Sequence, residues 1–325
     1  MLRLYTQTSD KLVHIDFAPE TGRLVWADLL KPTGEDARTI EDLVGVAIPS
    51  RDEMEEIELS ARLYSEDGAA FMTVTVLADV ESDDPSKTPV TFILKAETLV
   101  TVRYAEPKPF RTFLARAQRQ RGAECSCGEQ VMLGLLEALV DRTADALERV
   151  SNEIDSISRE VFRNKHVKAN TKHANLRSVM QRVGQKAELL SMIEESLVSI
   201  ARLVAYHSAG HGTASAEGQD RRQLAKLIQR DALSLGDHAR ALSARIAFLL
   251  DATLGMINLE QNQIIKIFSV AAVVFLPPTL VASVYGMNFA LMPELELSFG
   301  YPLALGMMVA SAVLPFVYFK RRGWL

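Results

Sequence analysis

The chain has 325 residues, of which 48% are hydrophobic, and it carries 41 Asp and Glu against 36 Lys and Arg. Because the balance is acidic and there is no dense basic arm, the composition argues against a nucleic-acid-binding protein. Two cysteines, Cys125 and Cys127, are too few for a disulfide framework, and the N-terminus has no apolar run typical of a signal peptide. We therefore expect the first 260 residues to lie in a reducing cytoplasm.

The N-terminal third is distinct in charge and composition. Residues 1–110 carry 21 acids and 11 bases, for a net charge of −10, whereas the rest of the chain has a net charge of +5. Residues 1–109 hold seven of the twelve prolines and three runs rich in β-branched and aromatic residues, at 71–77, 90–94 and 99–104. These runs predict a cytoplasmic mixed α/β domain over residues 1–109.

The middle of the chain is expected to be helical. No proline occurs between Pro109 and Pro277, and this stretch is rich in Ala, Leu, Arg, Glu and Gln. It predicts a helical region over 110–219, with breaks near 121–128, 164–170 and 208–218, where Gly, Ser and Asn cluster. From 220 to 287 nothing stops a helix except the Pro277-Pro278 pair, which a membrane helix can absorb. Such a helix would be about 100 Å long and would enter the membrane directly.

Two charge-free segments follow, of 27 residues from Ile267 to Pro293 and of 23 residues from Leu297 to Phe319. About 20 apolar residues in a helix cross a bilayer, so we predict spans at about 264–287 and at 297–319 rather than buried core helices. The loop between them, 288–296, carries two acids and no base, whereas the tail, 320–325, opens with three consecutive bases. The positive-inside rule then places both termini in the cytoplasm, with Trp324 as an interfacial anchor.

One side of the first span is small or weakly polar. Steps of three and four residues from Asn262 connect the members of this stripe: Asn262, Ile265, Ser269, Ala272, Leu276, Thr279, Ser283 and Gly286. Such a stripe favours a helix-packing face, with the wall of an aqueous pore as the alternative. Two spans cannot enclose a pore alone, so the second interpretation requires an oligomer. No acid or base lies within either charge-free segment, which argues against proton-coupled transport.

The segment that ends the first span carries a recognisable motif. Gly286, Met287 and Asn288 stand between Tyr285 and Phe289, and the sequence Met-Pro-Glu-Leu follows at 292–295. This arrangement, with two spans at the C-terminus, resembles the CorA family of magnesium channels, and residues 258–262 and 275–280 resemble its enterobacterial type. The close resemblance covers residues 250–325. In the first 110 residues it is loose and is carried mainly by residues 52–62.

The resemblance implies an α/β cytoplasmic domain, a helical funnel and stalk, and a homopentamer in the bacterial inner membrane whose first spans surround a central pore. Gly286, Met287 and Asn288 would form the selectivity filter, with a ring of Asn288 side chains at the outer mouth. Neutral amide oxygens suit this role, because magnesium gives up its water reluctantly and they can accept hydrogen bonds from the hydrated ion. The alternative for Asn288 is a helix C-cap.

The resemblance also implies which residues line the pore. Its polar positions match Asn262 and Thr279, and its apolar constriction, where dewetting can stop ions, matches Ile265, Phe268 and Leu276. Phe268 lies just off the stripe, and we follow the family there because supercoiling shifts facing by a residue. The expected pore-lining set is Asn262, Ile265, Phe268, Leu276, Thr279 and Ser283.

The implied activity is passive influx of Mg²⁺, with Co²⁺ and Ni²⁺ as secondary ions, driven by roughly 4.6 kcal/mol per 100 mV of membrane potential. We expect no covalently bound cofactor and no enzymatic activity, because the sequence has neither a nucleotide-binding loop nor a catalytic constellation. Cytoplasmic Mg²⁺ would close the channel by binding acids between subunits. Asp251 matches the family's sensor acid, and Glu55 and Glu56 are weaker candidates for its partner; a solvated surface is the alternative for all three.

Two other functions stay open at this stage. A ZntB-like member of the same superfamily would move zinc through the same fold. A membrane-anchored helical scaffold would use the spans only as anchors and would conduct no ion.

Overall fold

The computed structural model describes residues 1–8, 11–16, 23–82, 84–119, 125–163, 169–210, 216–288, 292–293 and 299–324. It divides into two compact units, which are described separately below. Unit 1 comprises Met1–Val167 and Arg177–Leu249, and unit 2 comprises Lys168–Leu176 and Leu250–Leu325. The functional boundaries expected from the sequence, at 109, 219, 287, 296 and 319, stay predictions.

Unit 1 contains one seven-stranded sheet, with the order β2-β1-β3-β7-β6-β5-β4. Strands β3 and β7 pair in parallel and all other neighbours are antiparallel. The three strand-like runs of the sequence lie in β5, β6 and β7, which confirms the mixed α/β class. The strands are β1 (Leu2–Thr8), β2 (Lys11–Ile15), β3 (Leu24–Leu30), β4 (Leu63–Glu66), β5 (Ala69–Ala78), β6 (Ser86–Lys95) and β7 (Thr98–Arg103).

Helices cover both faces of the sheet. On one face Ile40 of α1 (Gly34–Val44) and Met54 of α2 (Arg51–Glu55) join the core of the sheet, followed by the short α3 (Leu59–Arg62). On the other face Phe113 of α4 (Lys108–Ala117) packs edge-on against Trp26 at 6.2 Å between ring centroids. All ten residues of β5 are buried, as expected for a strand covered on both sides.

A buried ion pair joins the two parallel strands of the sheet. The Asp28 carboxylate accepts hydrogen bonds from Nε and Nη2 of Arg103 at 2.9 and 2.7 Å, and both residues are 1% exposed. Thr101 donates to the same carboxylate at 2.9 Å, and the Trp26 indole donates to Thr101 at 2.9 Å. Because its oxygens are fully engaged, the buried charge is compensated rather than left unpaired.

Three long helices follow: α5 (Gly128–Arg163), α6 (Ala169–Gly210) and α7 (Ala216–Tyr285). Within unit 1 they are joined by ion pairs at their surfaces, including Glu160 with Arg182 at 2.8 Å, Glu153 with Lys186 at 2.7 Å, and Asp155 with Arg245 at 2.5 Å. The chain breaks expected near 121–128, 164–170 and 208–218 fall partly on segments outside the described residues.

Unit 2 contains the C-terminal part of α7 and the helix α8 (Gly300–Arg321). Both helices are long and apolar enough to cross a membrane. Only 6% of the most apolar 18-residue segment of each helix is buried. Among the described residues of the two spans, three are buried: Val270 of α7, and Gly300 and Ala304 of α8. The acidic pair predicted for the outer loop, Glu294 and Glu296, lies outside the described residues.

Candidate functional site

The six residues expected to line the pore all lie on α7, and all six are exposed. The three apolar members have large exposed fractions: 61% for Ile265, 71% for Phe268 and 65% for Leu276. Val270, between them in sequence but on another side of the helix, is only 3% exposed. The pore side of α7 is therefore left uncovered by unit 2, and its apolar surface favours contact with other chains or with lipid.

Thr279 shows how a hydroxyl can be both satisfied and available. Its Oγ1 donates to the carbonyl of Phe275 at 2.8 Å, one helical turn earlier. The helix continues through Pro277 and Pro278, whose nitrogens carry no hydrogen to donate to the carbonyls of Val273 and Val274. Since the single hydroxyl hydrogen is used on the backbone, the oxygen lone pairs remain as acceptors, which is what a hydrated cation requires.

The predicted filter begins where α7 ends. The helix ends at Tyr285, after which Gly286 donates to Ala282 at 2.9 Å and Met287 donates to Val284 at 3.3 Å. Asn288 follows as an exposed residue outside the helix, three positions beyond its end. It is therefore not the C-cap, and the alternative interpretation of this residue does not hold in the structure.

Gly286 differs from the expectation for a glycine at a turn. The φ angle of Gly286 is not positive, so this residue does not use the left-handed conformation that glycine alone adopts freely. A Cβ at this position would instead lie 3.1 Å from the carbonyl oxygen of Ala282. A side chain here would therefore require the last helical turn to shift by a few tenths of an ångström.

The three candidate regulatory acids, Asp251, Glu55 and Glu56, are exposed. Glu55 already forms an ion pair with Arg51 at 2.8 Å, and its hydrogen bond raises the pKa of the Arg51 guanidinium. Within the described ranges, no group of three or more His, Cys, Asp and Glu residues is placed to hold a metal ion. A regulatory site built on these acids would therefore need ligands beyond that part of one chain.

One contact of unit 2 was missed in the sequence. The ammonium nitrogen of Lys266 lies 5.9 Å from the centroid of the Trp324 ring, at the tail that follows α8. The sequence marked Trp324 as an interfacial anchor but gave Lys266 no role. The available signal was its position, because Lys266 is the last charged residue before the charge-free segment.

Comparisons with known proteins bear on the whole chain. The sequence model of the family described as CorA-like Mg²⁺ transporter protein matches residues 21–321. The magnesium transport protein CorA of Haemophilus influenzae is 33% identical over 327 residues, covering 100% of both chains. Among solved structures, the CorA magnesium transporter of Methanocaldococcus jannaschii has a TM-score of 0.77 at 18% identity, covering 100% of this chain and 99% of its own.

A ZntB structure is a more distant neighbour. The cytoplasmic domain of ZntB from Vibrio parahaemolyticus has a TM-score of 0.55 at 9% identity, covering 79% of this chain and 97% of its own. At such identities the likeness to both solved structures concerns the fold alone.

Proposed function

The chain belongs to the CorA-like Mg²⁺ transporter family, and on that premise we propose that it is a passive magnesium channel of the bacterial inner membrane. Both termini lie in the cytoplasm, and the ion enters down the membrane potential without catalysis or a bound cofactor. The observation that carries the proposal is the placement of Gly286, Met287 and Asn288 directly after the end of a long apolar helix.

The functional unit is a homopentamer in the lipid bilayer. Two spans cannot enclose an aqueous path, and the uncovered side of α7 offers the surface that several copies would place around an axis. Exposed fractions of 61% to 71% at Ile265, Phe268 and Leu276 support this arrangement, because such side chains are stable only against an apolar neighbour or in a narrow dewetted ring.

Selection occurs at the outer mouth, where Asn288 presents a neutral amide. A hydrated Mg²⁺ holds its waters firmly, so five amide oxygens accepting hydrogen bonds from those waters can bind it without dehydrating it. A carboxylate ring would attract the ion more strongly but would hinder its release. Deeper in the pore, Thr279, Ser283 and Asn262 repeat the same kind of contact.

The cytoplasmic region closes the pore when internal magnesium is sufficient. Exposed acids such as Asp251, and less strongly Glu55 and Glu56, repel one another between subunits when no cation is bound. Magnesium bridging them favours the closed arrangement, and its loss shifts the population towards the open one. Mg²⁺ is thus both the transported and the regulatory ion, with Co²⁺ and Ni²⁺ as further cargo.

The ion and the driving force are tested in liposomes that contain the purified full-length chain and a magnesium indicator. We expect Mg²⁺ uptake that rises when a valinomycin-imposed potential makes the interior negative, with little uptake of Zn²⁺. Zinc uptake alone would move the chain to the ZntB type of function. Absence of any flux, with the protein shown to be inserted, would leave only an anchoring role for the spans.

A further inference from the structure

The tail after α8 folds back through a defined turn. Trp324 donates its backbone N–H to the carbonyl of Phe319 at 3.1 Å, and Gly323 donates to Lys320 at 3.2 Å. These two bonds, with Gly323 at φ +71°, form a Schellman turn, and the aromatic rings of Phe319 and Trp324 make its hydrophobic contact at 5.1 Å. Because only glycine adopts this φ freely, the turn fixes where Trp324 points.

The turn brings the tail to the start of the first span. Lys266 lies 5.9 Å from the Trp324 ring centroid, within the range of a cation–π contact, and Trp324 is still 41% exposed. Twenty-one residues, 267–287, separate Lys266 from Asn288, and as a helix they span about 30 Å, the thickness of the hydrocarbon core. Lys266 and Trp324 are therefore placed at the cytoplasmic headgroup level.

The positive charge at this level is not neutralised by the described residues of the chain. Lys266, Lys320, Arg321 and Arg322 are all exposed, and no ion pair involving any of them occurs in the ranges that the structure describes. Arg322 instead lies over the Tyr318 ring at 5.7 Å. Two of the four cations, Lys266 and Arg322, thus lie beside aromatic rings that are amphipathic enough for a membrane interface.

We propose that Lys266, Trp324 and the basic turn at 320–322 form a binding site for the headgroup phosphate of an anionic phospholipid of the cytoplasmic leaflet. The aromatic rings would pack against the glycerol and upper acyl region, while the cations bind the phosphate. The site rests on the membrane topology of the proposed function but not on its ion. An anionic lipid here would bridge the inner end of the pore helix to the end of the second span.

The tryptophan content of the chain makes this site directly observable. Only Trp26 and Trp324 are present, and Trp26 is 1% exposed in the sheet of unit 1, beyond the reach of lipid. The full-length chain is reconstituted in phosphatidylcholine vesicles that contain a small fraction of dibrominated phosphatidylglycerol or, in parallel, dibrominated phosphatidylcholine. Quenching of tryptophan fluorescence then reports which lipid occupies the contact with Trp324.

We expect the brominated phosphatidylglycerol to quench at about tenfold lower mole fraction than the brominated phosphatidylcholine, and the difference to shrink at high salt. Lys266→Gln should reduce that preference about fivefold, whereas Lys226→Gln, the same change at an exposed position of α7 in unit 1, should leave it intact. Gly323→Ala should also reduce it by disturbing the turn. Inorganic phosphate at millimolar concentration should not compete.

Three results would overturn the proposal. Equal quenching by the two lipids would make Trp324 a non-selective anchor. A loss of lipid preference in Lys226→Gln equal to that in Lys266→Gln would make the effect one of general charge. Competition by inorganic phosphate would make the site one for a soluble anion. Quenching by neither lipid would contradict the membrane topology itself. Selective quenching without Mg²⁺ flux would contradict only the proposed transport, so the two proposals fail separately.

Discussion

The sheet of unit 1 and the two spans of unit 2 use uncharged, apolar residues in opposite ways. In β5 all ten residues are buried, whereas only 6% of the most apolar window of α7 or α8 is buried. Unit 1 also encloses a charged pair in which both carboxylate oxygens are hydrogen-bonded, while residues 267–287 and 297–319 of the spans contain no acid or base. Unit 1 is thus stabilised by contacts within the chain, whereas the apolar surface of unit 2 is left for contacts outside the chain.

The largest effect is expected when the buried ion pair of unit 1 is broken. Arg103→Met leaves the Asp28 carboxylate buried without its partner, so we expect a loss of about 3–5 kcal/mol in the free energy of unfolding. Urea unfolding of the detergent-solubilised chain, followed by Trp26 fluorescence in a Trp324→Phe background, measures this loss.

The double change Asp28→Leu with Arg103→Met should recover most of the stability, because no lone charge remains. Arg38→Met, at an exposed position of α1, is the matched control and should change little. If Arg103→Met alone is as stable as Arg38→Met, the ion pair is not desolvated as the structure describes.

A change within the spans should act on flux rather than on folding. Leu276→Asn introduces a polar group where the proposed constriction relies on dewetting, so we expect Mg²⁺ leak at high internal magnesium to rise about tenfold. Liposome uptake measures it, with Leu314→Asn, an equally exposed position of α8, as the control. If both variants behave alike, the uncovered side of α7 does not face a pore.

Regulation offers a finer contrast. Asp251→Ala removes an exposed acid of α7 at the start of its unit 2 part. The variant should keep conducting at internal magnesium concentrations several-fold higher than those that close the wild type. Glu148→Ala, an exposed acid of α5, serves as the control. Coinciding inhibition curves for the wild type and Asp251→Ala would contradict a regulatory role for this acid.

The smallest effect is expected at the start of α1. Thr33 accepts a hydrogen bond from the Asp36 backbone at 3.2 Å, and the Asp36 carboxylate accepts one from the Thr33 backbone at 3.0 Å. Thr33→Ala should therefore cost about 1 kcal/mol in unfolding.

The same cap has a pH dependence of known sign. The Thr33 backbone N–H lowers the pKa of Asp36, so its contribution is present at neutral pH and is lost as pH falls through the lowered value. Unfolding of the wild type and of Asp36→Asn should converge in strong acid. A gap between them that stays constant down to low pH would contradict this role.

Patterns that are local in the sequence predicted most of the fold. The alternating β-branched residues of 71–77 and the charge-free C-terminal segments are each local in sequence, so β5 and the apolar helices were predicted. Asp28 and Arg103 are 75 positions apart and meet only because β3 and β7 pair in parallel, which no local pattern indicates. The contact of Lys266 with Trp324 depends in the same way on how the end of α8 lies beside the interior of α7.

For the candidate site, helical spacing gave five of the six pore residues, and Phe268 came from the family resemblance. The spacing could not establish the local backbone at Gly286, where φ is not positive and the Ala282 carbonyl lies close. The ring of Asn288 side chains and the bridging of acids stay predictions, because both depend on symmetry between chains.

In the proposed function, Asn288 selects magnesium at the mouth of a pore that internal magnesium closes. The most direct test is Mg²⁺ uptake by liposomes containing the wild type, Asn288→Ala or the control Asn152→Ala, an exposed position of α5, at several internal magnesium concentrations. We predict that the wild type and the control take up Mg²⁺ and stop as internal magnesium rises, and that Asn288→Ala loses at least about tenfold of the uptake. Uptake by Asn288→Ala equal to that of the control would contradict the account.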